Sequence, residues 1–520
     1  MVDRMRPALV TRFVAVLTVF WGSQSAWAVE RPNIVFILAD DMGYGDPRCY
    51  NPASQIPTPN IDRLATQGMR FTDAHSPSAV CSPTRYALLT GRYAWRTSLQ
   101  KGVLVSWSPP LISPERLTVG KLLQQQGYVT GCFGKWHLGD IWPTTDGQPP
   151  VTRKDKSTNV DFTRPISEGP TTRGFDVFFG NGAPNFPPYC FIENDHTLGI
   201  PSAPSGPEFN RPGPMLPGWR WVDVQPEITQ RSVRFIREAA ARKPQQPFFL
   251  YVPLGGPHYP IVPTPDFQGR TPIGPYGDWV AQMDLDVGRI LKALVDTSVL
   301  SNTLVIFTSD NGPEITGEVK PGAYERAEQF GHFSMGDLRG AKRDLWEGGH
   351  RVPFIVNWSG VVAPGTTSDA LICHVDFLAT VADLLDVDLP AEAAVDSQSY
   401  LPVLRGESKT ARDTLVYHGG SGRFAIRHDN WVLIEAPTGD DNGPRGETAW
   451  FKSQRGYGEP DNQPKQLFDL APDPAEHTNQ FVAQPEKAAE LHSMLVDLIR
   501  RGRSTPGAEQ ANDVEVVIEK

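Results

Sequence analysis

At 520 residues with a formal net charge of −10, the chain is long enough to bury a large core, and its length admits two or three domains. It has no basic run, which excludes a nucleic-acid-binding surface and a membrane contact held by a polybasic patch. The five cysteines, Cys49, Cys81, Cys132, Cys190 and Cys373, are too few and too scattered for a disulfide scaffold. They leave room for one or two bridges, and no pair has the C-x-x-C spacing of a thiolate zinc site.

The chain opens with Arg4, Arg6 and Arg12, an apolar run from Phe13 to Trp21, and then Ala26-Trp27-Ala28. This is the order of a secretory signal peptide, residues 1–28, cleaved after Ala28, and the apolar run is too short to span a bilayer comfortably. No later stretch has transmembrane character. The expectation is an exported protein, periplasmic or secreted, with no stable membrane association. A single N-x-S/T site, Asn357-Trp358-Ser359, agrees with a bacterial setting.

Residues 33–38 (N-I-V-F-I-L) form a continuous apolar, β-branched run, the mark of a central strand in a parallel sheet. Asp40 and Asp41 follow. Neighbouring side chains on a strand face opposite ways, so these carboxylates meet only if the chain turns at once, which Gly43 and Gly45 permit. Crowded there, they repel each other unless a cation lies between them. After a short helix at 61–67 comes V-C-S-P-T-R-Y-A-L-L-T-G-R at 80–92, with Ser82 as N-cap, Pro83 at the first helical position and Gly91 as terminator. Cys81 is thereby expected just outside a helix N-terminus. The free N–H groups and dipole there attract anions and lower a thiol's pKa, and Arg85 reaches back over the cysteine from the first turn.

A further helix at 117–126 and a strand at 128–133 lead to G-K-W-H-L-G at 134–139. Lys135 and His137 are two apart, so on an extended backbone they share a face, a cation and a titratable imidazole aimed at one anion. Residues 141–221 are rich in Pro and Gly but keep their aromatics, and they read as long functional loops forming a substrate rim. A helix at 227–243 and a buried strand at 247–252 run into Pro257-His258. A helical stripe at 278–296 feeds the strand 303–308, which ends in Ser309-Asp310-Asn311-Gly312. The block from Leu338 to Pro353, containing Lys342, precedes a strand at 354–357 and a helix at 374–385. After about Gly406 shorter alternating strands are expected at 423–427, 430–435 and 466–469, then a helix at 485–500 and a polar tail that frays. There is no internal repeat.

Helix alternating with buried strand predicts an α/β fold, a doubly wound, mostly parallel central sheet with a smaller C-terminal antiparallel α+β subdomain. The expected boundaries are 29–405 for the catalytic domain, 406–510 for the subdomain and 511–520 for the tail. Sites in such sheets gather at the carboxy ends of strands, so Asp40, Asp41, Asp310 and Asn311 are expected to converge. All four offer oxygen, which selects a hard cation, calcium in preference to magnesium.

The segments P-N-I-V-F-I-L-A-D-D at 32–41, T-P-N-I-D-R-L-A at 58–65, C-S-P-T-R at 81–85, G-K-W-H-L-G at 134–139, P-H at 257–258, S-D-N-G at 309–312 and K-R-D-L-W-E-G-G from Lys342, with further matches at 466–474 and 503–507, together resemble the type I, formylglycine-dependent sulfatases, a branch of the alkaline phosphatase superfamily. The resemblance implies that Cys81 is converted to Cα-formylglycine by a separate formylglycine-generating enzyme reading C-x-P-x-R. In its hydrated form it joins Asp40, Asp41, Asp310 and Asn311 around the metal. It implies that one diol hydroxyl attacks sulfur in line, with Arg85 and the metal stabilising its oxygen and Lys135 and Lys342 clamping the sulfate. His258 is then the general acid for the leaving alcohol, and His137 assists loss of the second diol proton. The implied substrate is an organic sulfate, a sulfated small molecule or glycan, and export with aromatic-rich loops favours a carbohydrate.

One stretch departs from the pattern. Several relatives carry a serine shortly after G-F-D-x-F-F-G, where this chain has Asn181-Gly182-Ala183-Pro184-Asn185, so that role has no residue assigned. Two other functions compete with the one this resemblance implies. A phosphatase or phosphonate monoester hydrolase on the same fold is disfavoured by Asn311 beside Asp310, where two-zinc enzymes commonly show His, and by Cys81 in place of Thr or Ser. A non-catalytic binder of sulfated glycans is disfavoured because Lys135, His137, His258 and Lys342 are all intact.

Overall fold

The computed structural model describes residues 1–2, 31–242, 246–315, 320–458 and 461–518. Apart from its first two residues the expected signal peptide lies outside the described residues, and the body from Pro32 onward is described by itself. In chain order its principal sheet strands are β1 (Asn33–Asp40), β2 (Met69–Phe71), β3 (Val129–Lys135), β4 (Val177–Asn181), β5 (Phe248–Pro257), β6 (Thr303–Ser309), β7 (Phe354–Trp358) and β8 (Thr366–Ser368). The helices used below are α1 (Pro59–Thr66), α2 (Cys81–Thr90), α3 (Val119–Gln125), α4 (Val224–Arg242), α5 (Pro275–Asp296), α6 (Phe377–Leu384) and α7 (Pro485–Arg500).

The strands order as β8-β2-β7-β6-β1-β5-β3-β4, continued by the short pieces Ile192–Glu193 and His196–Thr197 into a 10-stranded sheet. From β6 to β4 every neighbouring pair is parallel, so five carboxy ends share one edge. β7 runs antiparallel to β6. β1 is central, with Val35 opposite both Leu250 and Val305, and it is buried along its whole length. Its alternation divides two cores. Ile34, Phe36 and Leu38 pack with Leu88 and Leu89 of α2 and Phe377 and Leu378 of α6. Val35, Ile37 and Ala39 pack with Ile61 and Leu64 of α1 and Val280 and Val287 of α5. Each such side chain contributes about 1.5–3 kcal/mol on burial, which is why a strand covered on both faces is apolar throughout. The doubly wound, mostly parallel sheet is the fold expected.

The later part of the chain forms a four-stranded antiparallel sheet, β9 (Thr414–His418), β10 (Phe424–His428), β11 (Trp431–Ile434) and β12 (Gln466–Asp469), in that order. Its first strand lay outside the elements expected from sequence. Leu491, Leu495 and Ile499 of α7 cover it, and its core is continuous with Ala87 of α2 and with Tyr93 and Trp95 just beyond. A buried ion pair adds direction to that contact. Arg427 of β10 donates to both oxygens of Asp73 at 2.8 and 2.7 Å, and Asp73 also accepts from His75 at 2.9 Å.

The tail does not fray as expected. The Asp513 amide donates to the Arg96 carbonyl at 2.8 Å, its carboxylate takes both Arg92 Nη groups at 3.0 Å, and Asn512 accepts from Arg96 at 2.9 Å. Polar composition misled here because the partners are buried arginines, which sequence pattern leaves unlocated. All five cysteines are free, so neither possible bridge forms. Among the described residues no helix is long and apolar enough to cross a membrane.

Removing Arg427 leaves a buried carboxylate without its main hydrogen-bonding cation. We expect Arg427→Met to lower unfolding free energy by about 3 kcal/mol near neutral pH. Burial raises the Asp73 carboxyl, but Arg351, His75 and Arg427 outweigh it and hold the group well below the usual range. Its stabilising contribution is therefore complete above the unfolded carboxylate pKa of about 4 and is lost as pH falls toward the folded value. In urea titrations, the gap between wild type and variant should narrow below about pH 4. A gap that widens on acidification contradicts this account.

Candidate active site

β1 delivers Asp40 as its last residue, and Asp41 then turns sharply. Asp41 itself has a φ of 68°, in the left-handed region, so the turn is made by the acid rather than by the glycines after it. The strain, about 1–3 kcal/mol for a non-glycine residue, is held in place by the neighbouring strand. The Asp310 amide donates to the Ala39 carbonyl at 3.0 Å, Asp310 Oδ1 accepts from the Asp41 amide at 3.2 Å, and Ser309 Oγ accepts from the Met42 amide at 2.9 Å. Asn311 donates to Asp41 Oδ1 at 2.7 Å. The parallel pairing of β1 and β6 thus brings Asp40, Asp41, Asp310 and Asn311 together, all fully buried.

α2 starts two residues earlier than expected. Cys81 is its first helical residue and Val80 the N-cap, without a side-chain cap. Ser82 does not cap because its hydroxyl accepts from the Leu104 amide at 3.1 Å, a tertiary contact that outcompetes the local one. Gly91 terminates the helix with a φ of 63°, as read. Cys81 Sγ lies 3.4 Å from Asp40 Oδ1. Its thiol is not acidified. Burial and then the Asp310 carboxylate push it well above the ordinary thiol value, and these outweigh the helix dipole. Arg85 does turn back over the site. It donates through Nε and Nη2 to Asp310 Oδ2 at 3.1 and 2.7 Å and through Nη1 to the Lys135 carbonyl at 3.0 Å.

Two close approaches supply the lysines. Gly134 has a φ of 137°, and a Cβ there would meet the Pro253 carbonyl oxygen at 1.9 Å, so glycine is required where β3 rides against β5. The next residue, Lys135, places Nζ 2.7 Å from Asp40 Oδ2. On the other side, a Cβ on Gly312 would lie 1.9 Å from the Gly348 carbonyl oxygen, and the Lys342 amide donates to the Pro313 carbonyl at 3.1 Å. That tuck sets Lys342 Nζ 2.7 Å from the Asp41 carboxylate. Burial works against the charge of Lys342, but Asp41, Cys81 and Glu314 more than offset it and raise its pKa well above the usual value.

His137 does not share an extended backbone with Lys135. β3 ends at Lys135, and His137 has a φ of 55°. Its Nε2 hydrogen-bonds the Leu104 carbonyl at 2.8 Å, which fixes Nε2 as the donor and leaves Nδ1 as an acceptor, buried and without a protein partner among the described residues. Burial, then Lys135 and Arg85, hold it well below the ordinary imidazole value. His258 lies just past β5, its Nδ1 donating to the Tyr259 carbonyl and its Nε2 3.8 Å from Asp41 Oδ2. Burial and the adjacent Lys342 lower it to about 3.

Three carboxylates are thus paired with three cations around one thiol. Asp40, Asp41, Cys81 and His258 also present donor atoms within 4.8 Å of one another, the arrangement of a metal-binding cluster. Asn311 Oδ1 is buried and without a partner among the described residues. A hard cation fits this donor set, since oxygen predominates and an amide oxygen stands unsatisfied.

The protein-family model described as Sulfatase matches residues 32–387, a span holding every one of these groups. The chain belongs to the sulfatase family. It is 35% identical over 505 residues to an N-acetylgalactosamine-6-O-sulfatase of Bacteroides thetaiotaomicron, covering 90% of this chain and 93% of the relative. It is 33% identical over 462 residues to human arylsulfatase A, covering 87% and 84%. A solved structure from B. thetaiotaomicron, from work on the metabolism of multiple glycosaminoglycans, superimposes with a TM-score of 0.76 at 32% identity, over 90% of this chain and 99% of its own. The protein is a sulfatase.

Within this sulfatase the stretch left unassigned at 181–185 contains a group that the sequence did not expose. Asn181, the last residue of β4, stands opposite Lys135 in register. Both its amide nitrogen and its amide oxygen are buried without a partner among the described residues. The signal available was positional, a polar residue ending a strand whose neighbour ends in Lys135. The run Glu193–His196, by contrast, is ordinary edge structure, with Glu193 paired to Arg231 at 2.7 Å and Asp195 to His196 at 2.7 Å.

An unsatisfied buried amide costs stability unless a ligand meets it. Asn181→Leu is therefore expected to keep or raise the melting temperature while lowering kcat/KM on a sulfate ester by tenfold or more. Calorimetry with steady-state kinetics checks this, and a destabilised variant of unchanged activity would contradict it.

Proposed function

We propose that the protein hydrolyses the sulfate ester of a sugar, using an oxygen nucleophile made from Cys81 by conversion to Cα-formylglycine, with one calcium ion at the carboxy edge of β1 and β6. The observation that carries this reading is the position of Cys81 Sγ, 3.4 Å from Asp40 Oδ1 inside a ring of paired charges. As it stands the thiol is protonated and poor as a nucleophile. A hydrated aldehyde at this position supplies one hydroxyl to take the sulfuryl group and a second whose proton loss expels sulfate.

Asp40, Asp41, Asp310 and Asn311, with the converted Cys81, would hold the calcium, which supplies Lewis-acid stabilisation of charge on oxygen. Arg85 stands where charge builds on the attacking oxygen. Lys135 and Lys342 each project a charged amine into the same buried space and fit the oxygens of the transferring sulfate, acting by position and charge. His258 Nε2 carries a proton to the leaving alcohol, and an incoming sulfate anion, by favouring the imidazolium, raises its pKa toward that state. His137 Nδ1, with its lone pair fixed by the Nε2 bond to Leu104, is suited to take the second hydroxyl's proton.

The sugar is supported by the relative named for N-acetylgalactosamine-6-O-sulfate chemistry and by the aromatic-rich rim. Within that region Tyr189, Phe209 and Trp221 pack together at centroid separations of 4.5 to 5.2 Å, Tyr189 and Phe209 being buried. We assign residues 29–405 to the catalytic domain, 406–510 to the C-terminal subdomain and 511–520 to its tail. We further assign export through residues 1–28 to the periplasm or the medium, with maturation by a formylglycine-generating enzyme.

Mass spectrometry of the peptide containing position 81, from protein made in its native host, should show aldehyde in place of thiol. The same preparation should release sulfate from an aryl sulfate much faster than phosphate from an aryl phosphate. Unmodified cysteine with no sulfate release overturns the reading. Lys135→Ala and Lys342→Ala should each lower kcat about 10²–10³-fold.

Calcium should raise the melting temperature. At a hundredfold excess over Kd, binding contributes about 2.7 kcal/mol. Asp310→Asn should largely abolish that shift in differential scanning fluorimetry, and a variant that keeps the full shift places the ion elsewhere.

A further inference from the structure

A second cluster of ligating side chains shares no residue with the reacting site. His75, Glu347 and His350 are fully buried, and one donor atom from each lies within 4.8 Å of the others. The backbone sets them there. His75 precedes Cys81 by six residues and pairs with Arg351 in an antiparallel bridge, beside which the Ser76 amide donates to the His350 carbonyl at 2.8 Å. Glu347 and His350 begin and end one helical turn, three apart and so on one face. Tyr417 of β9 closes the cluster, its ring centroid 3.8 Å from that of His350.

The two rings face each other through Nδ1, 3.0 Å apart, and their outer nitrogens both meet oxygens that only accept. His350 Nε2 is 3.3 Å from the Leu345 carbonyl. Burial lowers this imidazole to about 3, so it is neutral and its Nδ1 is a bare lone pair. His75 Nε2 is 2.9 Å from Asp73 Oδ1, and an ionised carboxylate so close requires the proton on that nitrogen. Arg427 Nη1 lies 3.3 Å from the same Nε2 but donates to Asp73 Oδ1 at 2.8 Å. A neutral His75 therefore also turns a lone pair to the centre, and only a proton or a metal ion reconciles the two. Glu347 decides between them. Its Oε2 accepts from Arg351 at 2.9 Å, whereas its Oε1 is buried without a partner among the described residues. A proton held between the rings leaves that oxygen unmet; an ion satisfies all three atoms. Charge agrees, because Glu476, whose Oε2 takes the Glu347 amide at 2.8 Å, adds a third carboxyl to Asp73 and Glu347 against two guanidiniums. Burial and then Glu347 raise its pKa well above the usual value, a sign of acid in excess of cation.

We propose that His75 Nδ1, His350 Nδ1 and Glu347 Oε1 bind a zinc ion, a structural site separate from the calcium site, which fastens the segment leading into α2 to the block carrying Lys342. Two imidazoles and one carboxylate suit zinc and not a hard cation. Nitrogens bound to one tetrahedral zinc stand about 3.3 Å apart, so the rings need part by only a few tenths of an ångström. The outer bonds, a carboxylate on one imidazole and a backbone carbonyl on the other, are those that orient histidine ligands and raise their basicity.

The test strips the untagged full-length protein of metal and titrates it with zinc alone in competition with a chromophoric chelator. Wild type should take up one zinc per chain with a Kd below about 1 μM. Asp310→Asn should keep that uptake, and His350→Val should weaken it by about a hundredfold or more, since a lost ligand costs more than a lost outer partner. X-ray absorption at the zinc edge reads the wild-type site without any variant. It should show two imidazole nitrogens and a carboxylate oxygen at about 2.0–2.1 Å and no sulfur. No uptake, uptake unchanged in His350→Val, a sulfur ligand, or uptake lost in Asp310→Asn each overturns the site. None of these measurements uses sulfate release, so this site and the sulfatase reading fail separately.

Discussion

Like charges confined at the end of a buried strand set the terms for this protein. Asp40, Asp41 and Asp310 are fully buried, and an isolated carboxylate in such a place is untenable. Each is therefore matched by a cation drawn from a different part of the chain: Lys135 from β3, Lys342 from the block before β7, and Arg85 from α2. No single segment could build this arrangement. It depends on β1 lying between β5 and β6, so that the strands end together, and on α2 pointing its first turn at that edge. For Asp40, burial raises the carboxyl while Lys135, Arg85 and Lys342 together draw it below its usual value. The pairing keeps the acid ionised where charge is most useful and least tolerated otherwise.

The sequence was most legible where one requirement decided each position. A strand covered on both faces must be apolar throughout, so 33–38 and 303–308 stood out. The polar residues ending them had to lie at the sheet's carboxy edge. Asp40, Asp41, Asp310 and Asn311 were found that way, and Cys81, Arg85, Lys135, Lys342 and His258 gather with them in the structure. The sequence was least legible where a tertiary partner competed with a local preference. Ser82 Oγ accepts from the Leu104 amide and so does not cap α2. Asp41 accepts a left-handed backbone because β6 holds it. Cys81 sits at a helix N-terminus, yet burial beside Asp310 raises its pKa, and a dipole argument takes no account of that neighbour. The unpartnered amide of Asn181 was not legible, because nothing in the spacing of a lone polar residue says whether the fold supplies it a partner.

The small antiparallel sheet is more than an appendage to this arrangement. Its core runs on into Ala87, Tyr93 and Trp95, so the helix bearing the nucleophile is packed on one side by the large sheet and on another by the small one. Arg427 and Asp73 add a directional bond across that contact. Asp73 also lies only a few residues ahead of α2, which means that a disturbance at the small sheet reaches the nucleophile through covalent chain as well as through packing.

Arg92 and Arg96, immediately after α2, hold Asn512 and Asp513, and the pair Arg92 and Asp513 is separated by 421 residues. During synthesis these arginines stay without those partners until more than 400 further residues have been made. The finished protein exposes only 2% of Cys81, leaving no room for a second enzyme to grip it. On the proposed conversion of Cys81, a chain that has not yet packed around the thiol is the form that a second enzyme can reach.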